Sequence, residues 1–188
     1  MYEQVLQAGR PTVIDPQHAA CIVDESGHSN NLSAGILVLA IGNPLRGDDG
    51  IGPAVLQALA NRGDLPQEVM LLQGDTWTLA SELQSSSYRR VILLDAMQMG
   101  CEPGAWQRLR LDERGSYQWK ARQQAGTHLL NLDTMLALLE IIGVPLPELI
   151  IYGVQPQLMS WSTGLSESVQ KTIPTLCEHI FKDLQGTL

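Results

Sequence analysis

Three residues of this sequence, Asp49, Asp95 and His128, have side chains that could together bind one divalent transition ion. Imidazole favours nickel, zinc, copper or iron, whereas carboxylate is a harder, anionic ligand. A histidine in the first turn of a helix also feels the positive end of the helix dipole, which favours its neutral, ligating form. The three residues would meet at one edge of a sheet if the strands that carry them are neighbours and point the same way.

Each of these residues also has a structural interpretation. An acid just before a helix is often an N-cap or a partner of the helix dipole, and we assign that role to Asp48, which leaves Asp49 as the candidate ligand. Asp95 could accept backbone amides of the turn that follows it, although its position directly after an apolar run favours a binding site. From composition alone, a histidine such as His128 is more often a surface or capping residue than a ligand.

Buried strands and helices alternate from Gly35 onward and must position these side chains. Apolar runs predict strands at residues 36–41, 69–72, 91–94, 106–111 and 149–152. Helical spacing and capping signals predict helices at residues 52–60, 78–83, 128–142 and 166–184, the last with a kink or break at Pro174. This alternation predicts an α/β fold, in which a parallel or mostly parallel sheet is covered by helices on both faces.

Other segments near the strand ends have weaker signals. The segment of Gly74, Asp75 and Thr76 could line the same cleft or form only a turn and an N-cap. The loop GNPLRGDDG lacks both G-x-G-x-x-G and GK[ST], and its two carboxylates would repel phosphate, so nucleotide binding is not expected. Trp161 could contact a peptide, but we expect core packing there.

Composition excludes several classes of function. The chain has 188 residues, 44% of them hydrophobic, and a net charge of −8, which argues against a nucleic-acid partner. No apolar stretch is long enough to span a bilayer, and we expect no secretory signal in the first twenty residues. The three cysteines, Cys21, Cys101 and Cys177, form no CxxC and predict reduced thiols in a cytoplasmic protein.

Residues 1–34 are predicted to be an extension of unknown role that precedes a domain at residues 35–188. The pairs Val13-Ile14 and Ile22-Val23 could form short strands, but prolines and a polar run interrupt them.

Four blocks in order, GNPLRGDDGIGP, VILLDAMQMGCEPG, AGTHLLNL and IIYGVQPQLMSWSTGLS, resemble the hydrogenase maturation proteases. Proteins of this family are endopeptidases that trim the C-terminal tail of the large subunit of [NiFe] hydrogenase. The resemblance extends from about residue 35 to residue 184. It implies a three-layer αβα sandwich around a twisted, mostly parallel sheet.

The resemblance also implies site residues. The nickel-site residues of the family correspond here to Asp49, Asp95 and His128, to which it gives both the catalytic and the metal-binding roles. Many members carry Glu at the first position, and the Asp found here retains the carboxylate. Substrate contacts are expected at Asn43, Gly74, Asp75 and Thr76, where Gly74-Asp75 replaces a Gly-Gly pair that is frequent in the family.

The implied cofactor is nickel that the substrate precursor carries, and the implied partner is the [NiFe] hydrogenase large-subunit precursor. Metal could polarise the scissile carbonyl or activate water, or a carboxylate such as Asp49 could serve as general base. No serine or cysteine lies in a recognisable nucleophile motif. We expect a monomer that neither binds nucleic acid nor inserts into a membrane. The alternative is a non-proteolytic nickel-checking chaperone or a small-molecule-binding protein of the same fold.

Overall fold

The structure is a computed structural model and describes residues 13–14, 35–111 and 127–186. Within these ranges one sheet contains six strands: β1 (Val13–Ile14), β2 (Ile36–Ile41), β3 (Val69–Gly74), β4 (Arg90–Ala96), β5 (Trp106–Leu111) and β6 (Glu148–Val154). The strand order is β1-β3-β2-β4-β6-β5, and every pair is parallel except β5 and β6. The predicted mostly parallel sheet is therefore confirmed.

Five α-helices lie in the same part of the chain and cover the sheet: α1 (Ile51–Ala60), α2 (Thr76–Ser85), α3 (Thr127–Ile141), α4 (Glu167–Gln170) and α5 (Ile173–Leu184). A short 3₁₀ helix, Gly47–Gly50, directly precedes α1. The predicted last helix is thus two helices separated at residues 171–172, with Pro174 in the first turn of α5. Proline has no backbone N–H to donate inside a helix, but it is tolerated in the first turn, where that N–H has no partner within the helix. This explains why the break precedes Pro174. No helix of these described ranges has the length and apolar character of a membrane span.

The two faces of the sheet carry separate apolar cores because side chains alternate along each strand. On β4, Ile92 and Leu94 face the core shared with α1, α4 and α5. Val91 and Leu93 face the core shared with α2 and α3. These are the two helical layers of the predicted αβα sandwich, which is confirmed.

Three strands extend two residues past their predicted ends, to Gly74, Ala96 and Val154, and the error in β4 concerns Asp95. The sequence places this residue directly after a strand that ends at Leu94, whereas β4 continues to Ala96. The parallel ladder with β6 extends to the pair Ala96 and Val154, which keeps the strand extended past the polar residue. By alternation with Leu93, Asp95 projects to the face covered by α2 and α3.

The region predicted as an extension contributes to the sheet. Val13 and Ile14 form β1, which pairs in parallel with Leu71 and Leu72 of β3. The second candidate pair, Ile22-Val23, lies outside the described residues. The sheet therefore includes two residues that precede the predicted domain boundary at residue 35.

A buried ion pair connects α5 to the sheet. The Asp183 carboxylate accepts hydrogen bonds from Arg108 Nε and Nη2, both at 2.8 Å, and from the Tyr152 hydroxyl at 2.7 Å. Burial raises the pKa of Asp183, but the bonds from Arg108 and Tyr152 outweigh it and hold the pKa below its ordinary value. Sequence reasoning did not detect this contact, because its three residues lie on three different elements.

We expect Asp183→Asn to lower the free energy of unfolding at pH 7 by about 2–4 kcal/mol, because Arg108 would lose its charge partner. A lowered folded-state pKa stabilises the protein above the unfolded pKa of about 4, and the contribution is lost as pH falls through the folded pKa. The gap between wild type and variant should therefore shrink below about pH 4 in thermal melts. An equal gap at pH 7 and pH 3 would contradict this assignment.

Candidate active site

The loop after β2 holds Asp49 against the end of its own strand. Gly42 has a φ of 125°, and a Cβ there would lie 2.0 Å from the Asp49 backbone oxygen, so only glycine permits this close turn. The Asn43 backbone N–H donates to Asp49 Oδ2 at 3.0 Å. The Asn43 side chain accepts from the Leu45 N–H at 2.9 Å, which fixes the loop between them.

Asp49 has an oxygen that its surroundings do not satisfy. The residue is 1% exposed, and its Oδ1 atom has no hydrogen-bond partner among the residues that the structure describes. A buried carboxylate oxygen without a partner costs free energy, so such groups are rare unless something else binds them. This oxygen has the chemistry that a cation or a substrate donor would satisfy.

Asp95 lies beside Asp49 in the topology of the sheet. The strand β4 is the direct neighbour of β2, and Asp95 is the penultimate residue of β4 and is buried. Both acids are therefore at the carboxyl ends of adjacent parallel strands, where open α/β sheets bind their ligands.

The first turn of α3 lies at the same edge of the sheet. This helix ends at Ile141, and the short connection 142–147 leads to the amino end of β6. Its first turn is therefore at the carboxyl edge, on the face toward which Asp95 projects. His128 is the second residue of α3, one residue after the helix begins. Its side chain lies outside the described residues, so its approach to the two acids stays a prediction.

The two carboxylates are the part of the predicted ligand set that the structure describes. Among the described side chains, no three of the types His, Cys, Asp and Glu come together to hold an ion. A site of two carboxylates completed by His128 would still leave coordination positions for ligands from a substrate.

Asp48 has a role beyond the one predicted. The assignment as N-cap was wrong, since α1 has Gly50 at its N-cap and no side-chain cap. Asp48 does lie in the first turn of the short 3₁₀ helix that leads into α1, as the alternative of a dipole partner requires. Asp48 Oδ2 also accepts from the N–H groups of Gln157 and Leu158 at 2.8 and 2.9 Å. Ser166 donates its N–H to Asp48 Oδ1 at 2.6 Å and its hydroxyl to Oδ2 at 2.9 Å.

The environment of Asp48 stabilises its charged form. Burial raises the pKa of its carboxyl, but the hydrogen bonds from Ser166, Leu158 and Gln157 outweigh this effect and lower the pKa overall. Asp48 and Asp49 are adjacent and equally buried, yet one is fully hydrogen-bonded and the other is not.

The loop after β2 contacts residues 157–166, which we call the latch segment. Gly47 donates its N–H to the Ser162 carbonyl at 2.9 Å, Asp48 to the Leu158 carbonyl at 2.9 Å, and Ser162 to the Leu45 carbonyl at 3.1 Å. Gly47 has a φ of 61°, and a Cβ there would lie 2.8 Å from the Leu158 carbonyl oxygen. The block that contains the latch segment is recognisable in the sequence, but its contact with the loop after β2 was not predicted.

The other predicted substrate contacts also lie at this edge. Gly74 is the last residue of β3, Asp75 is the N-cap of α2, and Thr76 is the first residue of that helix. The Asp75 carboxylate accepts from the Thr78 N–H at 2.8 Å and hydroxyl at 2.9 Å, which confirms the N-cap interpretation. Their contact with substrate stays a prediction.

Two of the cysteines are free, as predicted, with Cys101 exposed and Cys177 buried. Burial raises the pKa of the Cys177 thiol, which keeps it protonated. Cys21 lies outside the described residues. Trp161, by contrast, is exposed, so its predicted packing in the core was wrong.

Comparison with known proteins gives a consistent match. Residues 53–183, more than half of the chain, match the family model described as hydrogenase maturation protease. Asp95 and His128 fall inside this match, and Asp49 lies four residues before it.

Individual relatives cover most of the same region. The hydrogenase expression/formation protein HupD of Rhizobium leguminosarum is 29% identical over 80% of this chain and 74% of its own. The hydrogenase 2 maturation protease of Escherichia coli is 28% identical over 80% of this chain and 90% of its own. The solved structure of the E. coli hydrogenase maturating endopeptidase HybD superposes with a TM-score of 0.69 at 28% identity, covering 81% of this chain and 93% of the other.

The two adjacent acids should respond differently to the same substitution. We expect Asp48→Asn to cost about 1–3 kcal/mol of unfolding free energy, because the amide places an N–H₂ where the carboxylate accepts N–H donors. We expect Asp49→Asn to stay within about 1 kcal/mol of wild type or to exceed it, since it removes a buried charge with one unsatisfied oxygen.

Urea unfolding of the two variants in parallel measures this difference. Each variant is the matched control of the other, because they share burial, neighbourhood and chemistry. Equal destabilisation would show that Asp49 is a structural acid like Asp48.

Proposed function

Since this chain belongs to the hydrogenase maturation protease family, we propose that it removes the C-terminal tail of a nickel-loaded [NiFe] hydrogenase large-subunit precursor. The chain is a peptidase, as its relatives are. Beyond peptidase activity, we propose the identity of the substrate, its nickel content and the bond that is cut. We also propose that the enzyme is a monomer and acts in the cytoplasm.

The observation that carries the proposal is the buried, unsatisfied oxygen of Asp49 at the same sheet edge as Asp95. Two carboxylates and the imidazole of His128 are too few ligands to fill the coordination shell of a first-row ion. An ion that is already bound to the precursor could use them to complete its shell. Only a precursor that contains nickel would then dock productively, so the site would test for nickel before cleavage.

The same groups offer two routes to peptide hydrolysis. The nickel of the precursor, as part of the substrate, could polarise the scissile carbonyl or activate water. Alternatively, Asp49 could act as general base, because its unsatisfied oxygen can accept a proton from an attacking water. In both routes Asp95 and His128 would orient the substrate-borne ion.

We expect the purified protein to shorten nickel-loaded precursor by the mass of its C-terminal tail and to leave nickel-free precursor intact. Mass spectrometry of the reaction mixture measures this directly. Asp95→Asn should slow tail removal by about a hundredfold or more, a typical loss when a group that acts on the reacting atoms is removed.

Asp64→Asn is the control for this experiment. Asp64 is an exposed acid that pairs with Arg62. Both residues lie beyond the end of α1, far from the carboxyl edge of the sheet. Its loss should leave processing unchanged. Binding of nickel-loaded precursor without any tail removal would contradict the proposal and favour a nickel-checking chaperone. Cleavage of nickel-free precursor at the same rate would contradict the nickel test.

A second pair of variants separates chemistry from folding on α3. We expect His128→Ala to abolish processing while the free energy of unfolding changes by only about 0.5 kcal/mol, as for a side chain that faces a cleft. Leu136→Ala should cost about 2–5 kcal/mol, because Leu136 is buried in the core beneath α2 and α3 and its truncation leaves a cavity.

Thermal melts combined with the tail-removal assay distinguish the two variants. Folded Leu136→Ala protein should still process precursor. If His128→Ala melts far below wild type, or if it cleaves at the wild-type rate, then His128 is a structural residue.

A further inference from the structure

The latch segment and the loop that it contacts present large apolar side chains to solvent. Leu45, Leu158 and Trp161, which we call the apolar rim, are all more than half exposed, and Trp161 reaches 78%. Backbone hydrogen bonds join their segments: Ser162, next to Trp161, donates to the Leu45 carbonyl, and Asp48 donates to the Leu158 carbonyl. Single exposed apolar residues are ordinary, whereas a group of them on joined segments indicates an interaction surface.

The apolar rim is not needed to anchor the latch segment. Met159 and Leu165, from the same segment, are partly buried and pack against the core of α1 and α5. The Asp48 carboxylate and three backbone hydrogen bonds fix the rest of the segment. Leu158 and Trp161 therefore project outward from a backbone that is already held in place.

The position of the apolar rim relates it to the candidate active site. The latch segment follows β6 and contacts the loop after β2, and β4 lies between these two strands in the sheet. The segment thus crosses the carboxyl end of β4, the strand that carries Asp95. Leu45 lies on the same loop as Asp49, which places the rim along one side of the two acids.

The charge of this surface favours an apolar occupant. Residues 43–47 and 157–166 contain a single charged residue, Arg46, in a chain whose net charge is −8. A charged partner would find little to pair with here, whereas apolar side chains could bury Trp161, and buried tryptophans are frequent hot spots of binding.

We propose that the apolar rim binds an apolar segment of the precursor that adjoins the scissile bond. This inference rests on the proposed function, because it takes the hydrogenase precursor as the occupant. The rim is a binding surface: its contacts persist from the bound substrate to the transition state, so its loss affects KM and leaves kcat unchanged.

The test compares Trp161→Ser and Leu158→Ser with Trp161→Phe and Ile141→Ser in the full-length protein. Ile141 is the matched control, because it is 82% exposed but lies at the end of α3, at the opposite edge of the sheet. Two quantities are measured with nickel-loaded precursor: KM and kcat for tail removal, and Kd from the fluorescence anisotropy of labelled precursor. Thermal melts confirm that each variant is folded.

We expect Trp161→Ser to raise both KM and Kd about tenfold or more, with kcat unchanged at saturating precursor. Leu158→Ser should weaken binding in the same direction, Trp161→Phe should retain most of the affinity, and Ile141→Ser should match wild type. Wild-type values of KM and Kd in both serine variants would contradict the proposed binding role of the apolar rim. A lower kcat at unchanged KM would also contradict it.

Failure of the two proposals is distinguishable. If the wild type removes no tail, the proposed function fails, and anisotropy still decides whether Trp161→Ser loses affinity for the precursor. If the wild type removes the tail and the serine variants do so with wild-type KM, only the apolar rim is wrong.

Discussion

The carboxylate of Asp48 is the interaction on which the carboxyl edge of this fold depends. It accepts hydrogen bonds from Gln157, Leu158 and Ser166, which follow β6, while its own backbone lies in the loop after β2. The strands β2 and β6 are not neighbours, since β4 separates them. This bridge through Asp48 adds to three backbone hydrogen bonds that join the two loops across the end of β4.

The neighbouring acid shows why that bridge matters for chemistry. Asp49 is held by Gly42 and Asn43 so that one oxygen is bonded and the other is buried without a partner among the described residues. An arrangement of this kind is unfavourable in isolation and persists only if the surrounding structure is firmly held. Asp48, one residue away, accepts hydrogen bonds at both of its carboxylate oxygens and so helps to hold the loop. This is the division expected where binding function and stability compete.

The helical layers contribute to the same edge from opposite sides. The latch segment leads into α4 and α5, whose core lies under one face of the sheet, and the ion pair of Asp183 with Arg108 connects α5 to β5. On the other face, α2 and α3 begin at the carboxyl edge and pack on a second core. The candidate site therefore lies where both layers meet the ends of the strands, so that each acid is positioned by a different part of the fold.

Much of this could be read from the sequence, for a physical reason. Strand and helix patterns depend on local periodicity, and a parallel sheet places all strand ends at one edge, so the fold class and the general location of Asp49, Asp95 and His128 follow from the sequence. The end of β4 could not be predicted from the sequence, because hydrogen bonding to a neighbouring strand can extend a strand past a polar residue.

The sequence assigned a structural role to Asp48 and left Asp49 as the candidate ligand, but only the tertiary structure showed what Asp48 binds and which oxygen of Asp49 is open to a ligand. Asp48 and Asp49 have the same side chain and lie next to each other in the sequence, but the latch segment, more than a hundred residues away in the chain, supplies the hydrogen bonds that satisfy Asp48. The exposure of Trp161 is a similar case. Its apolar side chain predicts burial, but the latch segment holds it in an exposed position. The sequence by itself therefore determined the fold and the kind of chemistry at its edge. Contacts between segments far apart in the chain determined the role of each side chain there, because hydrogen-bond satisfaction and burial depend on neighbours in space.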